Sequence, residues 1–139
     1  MLITLVLASC AVVGGACGSE EAKKSSPSKP VPAIPAQQRG VLGAIDQLQA
    51  ASHRGDGARI CREIFTPKLA RSVAAAARKP CPKEVTGRLF PPRRTLAVGQ
   101  NIRVSGNGAV AEVMDQKGQR ATLSLVKDRG RWRIDRIRS

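Results

Sequence analysis

The chain has 139 residues, the length of a single domain with a tail. Only 2% of the residues are aromatic and tyrosine is absent, so aliphatic side chains must fill the core, and recognition of single-stranded nucleic acid, which relies on stacking aromatics, is not expected. The formal net charge of +14 favours anionic partners, such as phospholipid headgroups or phosphate-bearing envelope polymers, and it leaves the fold open.

The first residues have the pattern of an export signal. Residues 2–13 are almost continuously apolar, and small residues follow up to Cys17. An apolar run of this length is too short to span a bilayer as a helix. It is typical of a signal peptide, in which small residues mark the cleavage site. The sequence therefore predicts that residues 1–17 direct export.

Small residues directly before Cys17 resemble the lipobox of bacterial lipoproteins. The resemblance implies that Cys17 is diacylated and that the mature chain is held at the extracytoplasmic face of the cell membrane, because two acyl chains give stable anchoring. Cys10 is the alternative: the segment Leu7 to Cys10 matches the preferred box better, but apolar residues would then follow the lipid directly. Ordinary cleavage and an uncleaved anchor also remain open.

Residues 18–38 are predicted to form a disordered linker. They are rich in proline, serine and lysine, and they show neither a helical nor a strand period of apolar residues. Proline-rich segments favour extended geometry at about 3.1 Å per residue, which gives a reach on the order of 60 Å. The alternative is a disordered segment that binds a partner itself.

From about Arg39 the sequence predicts a folded domain that starts with three helices. Apolar residues at helical spacing begin at Val41, and the first helix should end at Gly55. Asp56 is placed to cap a second, short helix. Thr66 and Pro67 then form the start of a third helix, which Pro80 and Pro82 should end.

After Pro91 and Pro92 the apolar period falls to two, which predicts strands. Turn glycines recur at Gly106, Gly118 and Gly130, the spacing of an antiparallel meander. Helices followed by strands predict an α+β fold for residues 39–139, with three N-terminal helices packed on one face of a curved antiparallel sheet.

These residues resemble the nuclear-transport-factor-2-like superfamily, a cystatin-like cone that includes polyketide-cyclase-like members. The resemblance rests on the element order, the Gly55-Asp56-Gly57 turn, Thr66-Pro67, and the ending Gly-Arg-Trp-Arg-Ile-Asp at residues 130–135. It is strongest to small extracytoplasmic members on actinobacterial lipoproteins. Family members use the cone interior as a ligand pocket, as an enzyme site, or for no known purpose.

The resemblance implies a pocket in the cone, and we expect some of the apolar strand residues to line it. The alternative is that these residues form an ordinary core. The candidates are Ile102, Val104, Val113, Leu123, Leu125 and Trp132.

Cys61 and Cys81 remain as a pair once the N-terminal cysteines are set aside. An even pair in an exported protein predicts a disulfide. It would close a loop of about 20 residues and stabilise the domain by roughly 3 kcal/mol. The alternative is that Cys61 is simply a small core residue.

The sequence offers no catalytic set, so we expect a non-catalytic module. Enzymes of this fold place Asp, His or Tyr inside the cone, whereas the only histidine here, His53, falls at a helix end and should face solvent. Asp46 falls on the polar side of its helix, while Glu112 and Asp135 alternate away from the more apolar strand face. No metal site or cofactor is predicted.

Three functional hypotheses follow. The first is a membrane-anchored module that binds a small apolar ligand or another envelope component. The second is a divergent isomerase- or cyclase-like enzyme of the same fold. The third is electrostatic binding to anionic envelope components, since arginines crowd the last turn and strand.

Overall fold

A computed structural model describes residues 33–139, and within them four helices precede a four-stranded antiparallel sheet. The fold is therefore α+β, as the sequence predicts, with one helix more than expected. The predicted signal peptide, both candidate lipidation cysteines and most of the predicted linker lie outside the described residues.

The helices follow one another with short connections. Two of them finish in a π-helical turn, in which the backbone hydrogen bonds span one residue more than in an α-helix. The helices are α1 (Ala36–His53), α2 (Gly57–Arg59, continued by the π turn Ile60–Ile64), α3 (Pro67–Ala77) and α4 (Cys81–Glu84, continued by the π turn Val85–Leu89).

Helix α1 begins earlier than predicted and ends where predicted. It starts at Ala36, directly after Pro35, so the domain includes residues that the sequence assigned to the linker. It ends at His53, and Gly55 follows with φ of 68°, a conformation that glycine adopts readily. Its buried face is formed by Val41, Ala44, Ile45, Leu48 and Ala51.

The starts of α2 and α3 confirm the predicted caps. The backbone N–H of Arg59 donates to Asp56 Oδ1 at 3.0 Å. The N–H of Leu69 donates to Thr66 Oγ1 at 3.2 Å, with Pro67 at the first helical position. Each side chain satisfies a donor that the helix cannot pair internally.

Helix α4 is the main departure from the sequence-based prediction. Pro80 and Pro82 do lie beyond the end of α3, where Arg78 takes a left-handed conformation with φ of 51°. The chain then starts a new helix at Cys81, because a proline in the first helical turn lacks only an N–H that would have no partner there. The prolines thus separate two helices and do not end the helical region.

The four strands form a meander in the order β1-β2-β3-β4. Gly106, Gly118 and Gly130 adopt positive φ between them, as predicted from their spacing. Register shifts interrupt the β1–β2 and β3–β4 pairings, and irregularities of this kind bend strands. The strands are β1 (Leu96–Ser105), β2 (Gly108–Asp115), β3 (Arg120–Asp128) and β4 (Arg131–Arg138).

The helices cover one face of the sheet, which is called the inner face below, and the core lies between them. Along β2, buried Ala109, Ala111 and Val113 alternate with exposed Val110 and Glu112. The fully buried side chains from the two layers include Ile45, Leu48, Ile60, Phe65, Leu123, Leu125 and Ile134. The residues from 33 to 139 therefore have a hydrophobic core of their own.

Both edges of the sheet are hydrogen-bonded to the helical layer. At β1, Gln38 Nε2 donates to the carbonyl of Ile102 at 3.2 Å, and the N–H of Leu96 donates to Gln49 Oε1 at 3.0 Å. At β4, the N–H of Thr66 donates to the carbonyl of Ile134 at 2.9 Å. These contacts pair backbone groups of β1 and β4 that would otherwise be available to hydrogen-bond with another strand at the edges of the sheet.

A disulfide joins α2 to α4, in agreement with the predicted pair. Cys61 and Cys81 are both buried, their Cα atoms are 6.2 Å apart, and they are 20 positions apart in sequence. The bridge fixes the unpredicted helix α4 against the rest of the helical layer.

Candidate functional site: a cavity at the open end of the sheet

A cavity of about 260 Å³ lies between the end of α4 and the inner face of the sheet, near the β2–β3 turn; we call it the mouth cavity. Its apolar wall is buried or half-buried and consists of Leu89, Phe90, Leu96, Val113, Ala121 and Ile137. Its polar rim consists of Arg88, Arg94, Asp115, Gln119, Arg120 and Ser139.

Helix α4 supplies one side of the cavity and is firmly held. In its π turn the N–H of Phe90 donates to the carbonyl of Val85 at 2.7 Å. Ser52 Oγ of α1 donates to the carbonyl of Phe90 at 2.8 Å. The Phe90 ring packs edge-on against Phe65, with the ring centroids 6.3 Å apart. The wall is thus preformed by contacts that need no ligand.

Asp115 is a buried carboxylate at the cavity, and the fold already uses both of its oxygens. Oδ1 accepts from the N–H groups of Lys117 and Gln119, both at 2.9 Å, which closes the β2–β3 turn. Oδ2 lies 3.6 Å from Nε of Arg94. A carboxylate engaged in this way orders the turn through Oδ1 and balances an arginine through Oδ2.

The remaining rim is cationic. Arg94 is tied to the structure, because its Nη1 donates to the carbonyl of Leu89 at 2.8 Å in addition to the Asp115 contact. Arg88 is mostly exposed, and its Nε lies 2.7 Å from Glu84 Oε1. Arg120 is exposed at the start of β3. An anionic group at this rim would meet guanidinium groups, which bind carboxylate and phosphate well.

The structure separates the predicted pocket residues. Val113 lines the mouth cavity. Leu123 and Leu125 are fully buried core residues, while Ile102, Val104 and Trp132 are partly buried and pack against that core. The cavity lies at the end of the sheet near Leu96 and Ile137.

None of the titratable residues singled out from the sequence lines the mouth cavity. Asp46, His53 and Glu112 are exposed. Asp135 accepts a hydrogen bond from Thr66 Oγ1 at 3.0 Å, and its other oxygen lies 3.9 Å from Lys68 Nζ. These groups serve the surface and the start of α3.

Sequence reasoning missed the α4 residues of the site because it missed α4. A signal was present after Pro82: the apolar residues Val85 and Leu89 are four positions apart, which is about one helical turn. The role of Asp115 also had a signal, since an aspartate shortly before the glycine of a tight turn commonly accepts from the turn's own N–H groups.

Two further observations concern residues 33–139. In this part of the chain, no three His, Cys, Asp or Glu side chains are grouped so that they could hold a metal ion. Nor does any helix there have the length and apolar character needed to cross a membrane.

The fold and the cavity together define a small α+β domain with helices on one face of a four-stranded meander and a ligand-sized hollow at one end. No protein-family model and no curated protein matches the chain. Among solved structures it is similar to an NTF2-like protein of unknown function from Shewanella baltica OS155. That likeness has 15% sequence identity and a TM-score of 0.46, and it covers 77% of this chain and 99% of the other.

Proposed function

We propose that this protein is a membrane-anchored, extracytoplasmic lipoprotein whose domain is not an enzyme and binds a small amphipathic anion in the mouth cavity. The observation that carries the proposal is the combination of a preformed apolar wall with an arginine rim around one cavity. Convergent polar groups at the edge of an apolar hollow are the usual marks of a small-molecule site.

The volume limits the size of the ligand. At about 260 Å³ the cavity is at or just below the lower end of the range for drug-sized ligands, which begins at about 300 Å³. The ligand is therefore a short molecule, with an aliphatic or single-ring body against Val113, Ala121 and Ile137. Its acidic group meets the guanidinium groups of the rim.

Binding without catalysis is supported by the state of the carboxylate at the cavity. Asp115, which would be the natural general base there, already accepts from two backbone N–H groups and faces Arg94. Taking a proton on Oδ2 would neutralise the carboxylate that faces Arg94 and leave this half-buried guanidinium without its counterion.

The ligand proposal is tested with short aliphatic carboxylates and their matching alcohols, titrated into the chain that starts at Gly18 and followed by NMR. The methyl resonances of Val113, Ala121 and Ile137 should shift with the acids and much less with the alcohols. Ala121→Phe should abolish the shifts by filling the cavity. Ala97→Phe, at an exposed position on the opposite face of the sheet, is the matched control and should leave them unchanged.

The charge of the rim is tested in the same titration. Arg88→Gln should weaken acid binding, whereas Arg62→Gln removes an exposed charge from α2, away from the rim, and should have little effect. Equal affinity for acids and alcohols in the wild-type chain would contradict the proposed anionic ligand. Turnover of an added acid or ester that Asp115→Asn abolishes would show instead that the domain is an enzyme.

The anchor is supported by the small residues before Cys17 and the apolar run that precedes them. Growth of an expressing bacterium with an alkyne fatty acid should label the chain. Cys17→Ser should remove the label, and Cys10→Ser should retain it. Loss of label in Cys10→Ser alone would move the anchor to Cys10.

A further inference from the structure

The face of the sheet opposite the helices, called the outer face below, is covered by none of the described helices. Its side chains are those that alternate with the buried residues of each strand. The outer face carries a set of arginines on β1 and β4 that the mouth cavity does not use: Arg103, Arg131, Arg133, Arg136 and Arg138.

The pairing of the strands places the charges around an apolar centre. Arg103 of β1 lies opposite Val110 of β2, Val110 lies opposite Ser124, and Ser124 lies opposite Arg136 of β4. This row therefore crosses the whole sheet with an arginine at each side. Val110 is 40% exposed, and Met114, further along the same strand, is 41% exposed.

Acidic side chains offset little of this charge. Glu112 is exposed on β2, with its carboxylate 3.5 Å from the amide of Asn101. Asp128 lies 3.8 Å from Arg133. Arg103, Arg131, Arg136 and Arg138 remain on the face as a cationic excess, and the side chains of Val110 and Met114 are exposed on the same face.

The charge distribution decides between the possible occupants of the outer face. A second copy of the chain would place arginines against arginines, which costs binding energy. An uncharged apolar partner would bury guanidinium groups without acceptors. An anionic membrane surface supplies phosphate acceptors for the arginines and an interface in which Val110 and Met114 can be buried.

We infer that the outer face docks on the surface of an anionic phospholipid membrane. The inference rests on the proposed membrane anchor, since an anchor at Cys17 keeps the domain near such a surface. The predicted linker has a reach on the order of 60 Å, enough for the domain to turn either face towards the bilayer.

The test uses the unlipidated chain from Gly18, so that any binding comes from the protein itself. Vesicles of phosphatidylcholine with phosphatidylglycerol are compared with vesicles of phosphatidylcholine alone in a sedimentation assay. The chain should bind the first and not the second, and binding should weaken between low and physiological salt. Binding to both kinds of vesicle, or to neither, would overturn the inference.

Two double variants distinguish binding through the outer face from attraction by the net charge of the chain. Arg103→Gln with Arg136→Gln should lower the affinity for anionic vesicles about 30-fold, since each basic residue near the surface contributes a factor of about five. Arg62→Gln with Arg71→Gln removes the same charge from exposed positions on the helical side and should lower it less than about threefold. Equal losses from the two pairs would show attraction by net charge alone and contradict the docking surface.

Two controls complete the test. All four substitutions are at exposed positions, and unchanged thermal unfolding confirms that the variants are folded. Arg88→Gln should retain vesicle binding although it should weaken acid binding in the mouth cavity. The ligand proposal and the docking proposal can therefore fail separately. A dimer that forms through the outer face, detected by ultracentrifugation and lost in Met114→Glu, would overturn the inference because a second copy would then occupy the face.

Discussion

Gly40 of α1 lies directly against the indole of Trp132 on β4, so closely that a Cβ at Gly40 would stand 2.8 Å from the ring atoms Cδ1 and Nε1. Gln38 binds the carbonyl of Ile102 within the same turn of the helix. The beginning of α1 is thereby held against both edges of the sheet, which explains why the helix extends past the predicted domain boundary.

This contact predicts that Gly40→Ala destabilises the domain. Overpacking of this kind costs about 1–3 kcal/mol and outweighs the gain in helix propensity of about 1 kcal/mol. Gly43 is the matched control, because a Cβ there meets nothing within 4 Å. In urea unfolding, Gly43→Ala should be neutral or stabilising by up to about 1 kcal/mol. If Gly40→Ala stabilises the domain as much as Gly43→Ala does, the packing of α1 on Trp132 is wrong.

The disulfide predicts a large response to reduction. The bridge joins residues 20 apart in sequence, and closing such a loop in the unfolded chain is worth about 3 kcal/mol. Adding a reductant should lower the free energy of unfolding by about that amount. The double variant Cys61→Ala with Cys81→Ala should be equally destabilised and should not respond to the reductant. In the chain from Gly18, which contains no other cysteine, two reactive thiols after unfolding without reduction would show that the bridge does not form.

The sequence predicts the helices and strands well because their boundaries depend on local chemistry. Asp56 and Thr66 cap helices, and Gly118 forms a turn, through contacts with residues that are close in the chain. Helix α4 was missed because the prolines around Cys81 act alike at the end of one helix and at the start of the next, and the spacing of Val85 and Leu89, which favours a new helix, was not used.

The mouth cavity could not be predicted in the same way. Whether Val113 borders a hollow while Leu123 is fully buried depends on where α4 ends relative to the sheet. Alternation along a strand shows which residues face the helices and does not show how far along the strand the helical layer extends. Alternation therefore places Val113, Leu123 and Leu125 on the face that the helices cover, and of the six candidates Val113 borders the mouth cavity.

The start of α3 gives a third prediction. Thr66 Oγ1 accepts from the N–H of Leu69 and donates to Asp135 Oδ1. Thr66→Val keeps the shape and removes both hydrogen bonds, and it should cost about 1–2 kcal/mol. Thr66→Ser keeps the hydroxyl and should cost less. Lys68→Gln should change stability by less than about 0.5 kcal/mol, since its contact with Asp135 is exposed. A Thr66→Val variant as stable as the wild type would show that these two hydrogen bonds do not stabilise the domain.

The last prediction concerns Asp115, whose side chain supports the turn beside the mouth cavity. Asp115→Ala removes the acceptor of the Lys117 and Gln119 N–H groups and leaves half-buried Arg94 without its carboxylate. The expected loss is about 1–3 kcal/mol, because a buried polar network is broken on one side. Asp46→Ala, at an exposed position on α1, is the control and should change stability by less than about 0.5 kcal/mol.

Amide hydrogen exchange should show where the loss occurs. In Asp115→Ala the N–H groups of Lys117 and Gln119 should lose protection. The N–H groups of α1 should lose only the protection that corresponds to the fall in global stability. Unchanged exchange at these two amides would show that the turn does not depend on Asp115.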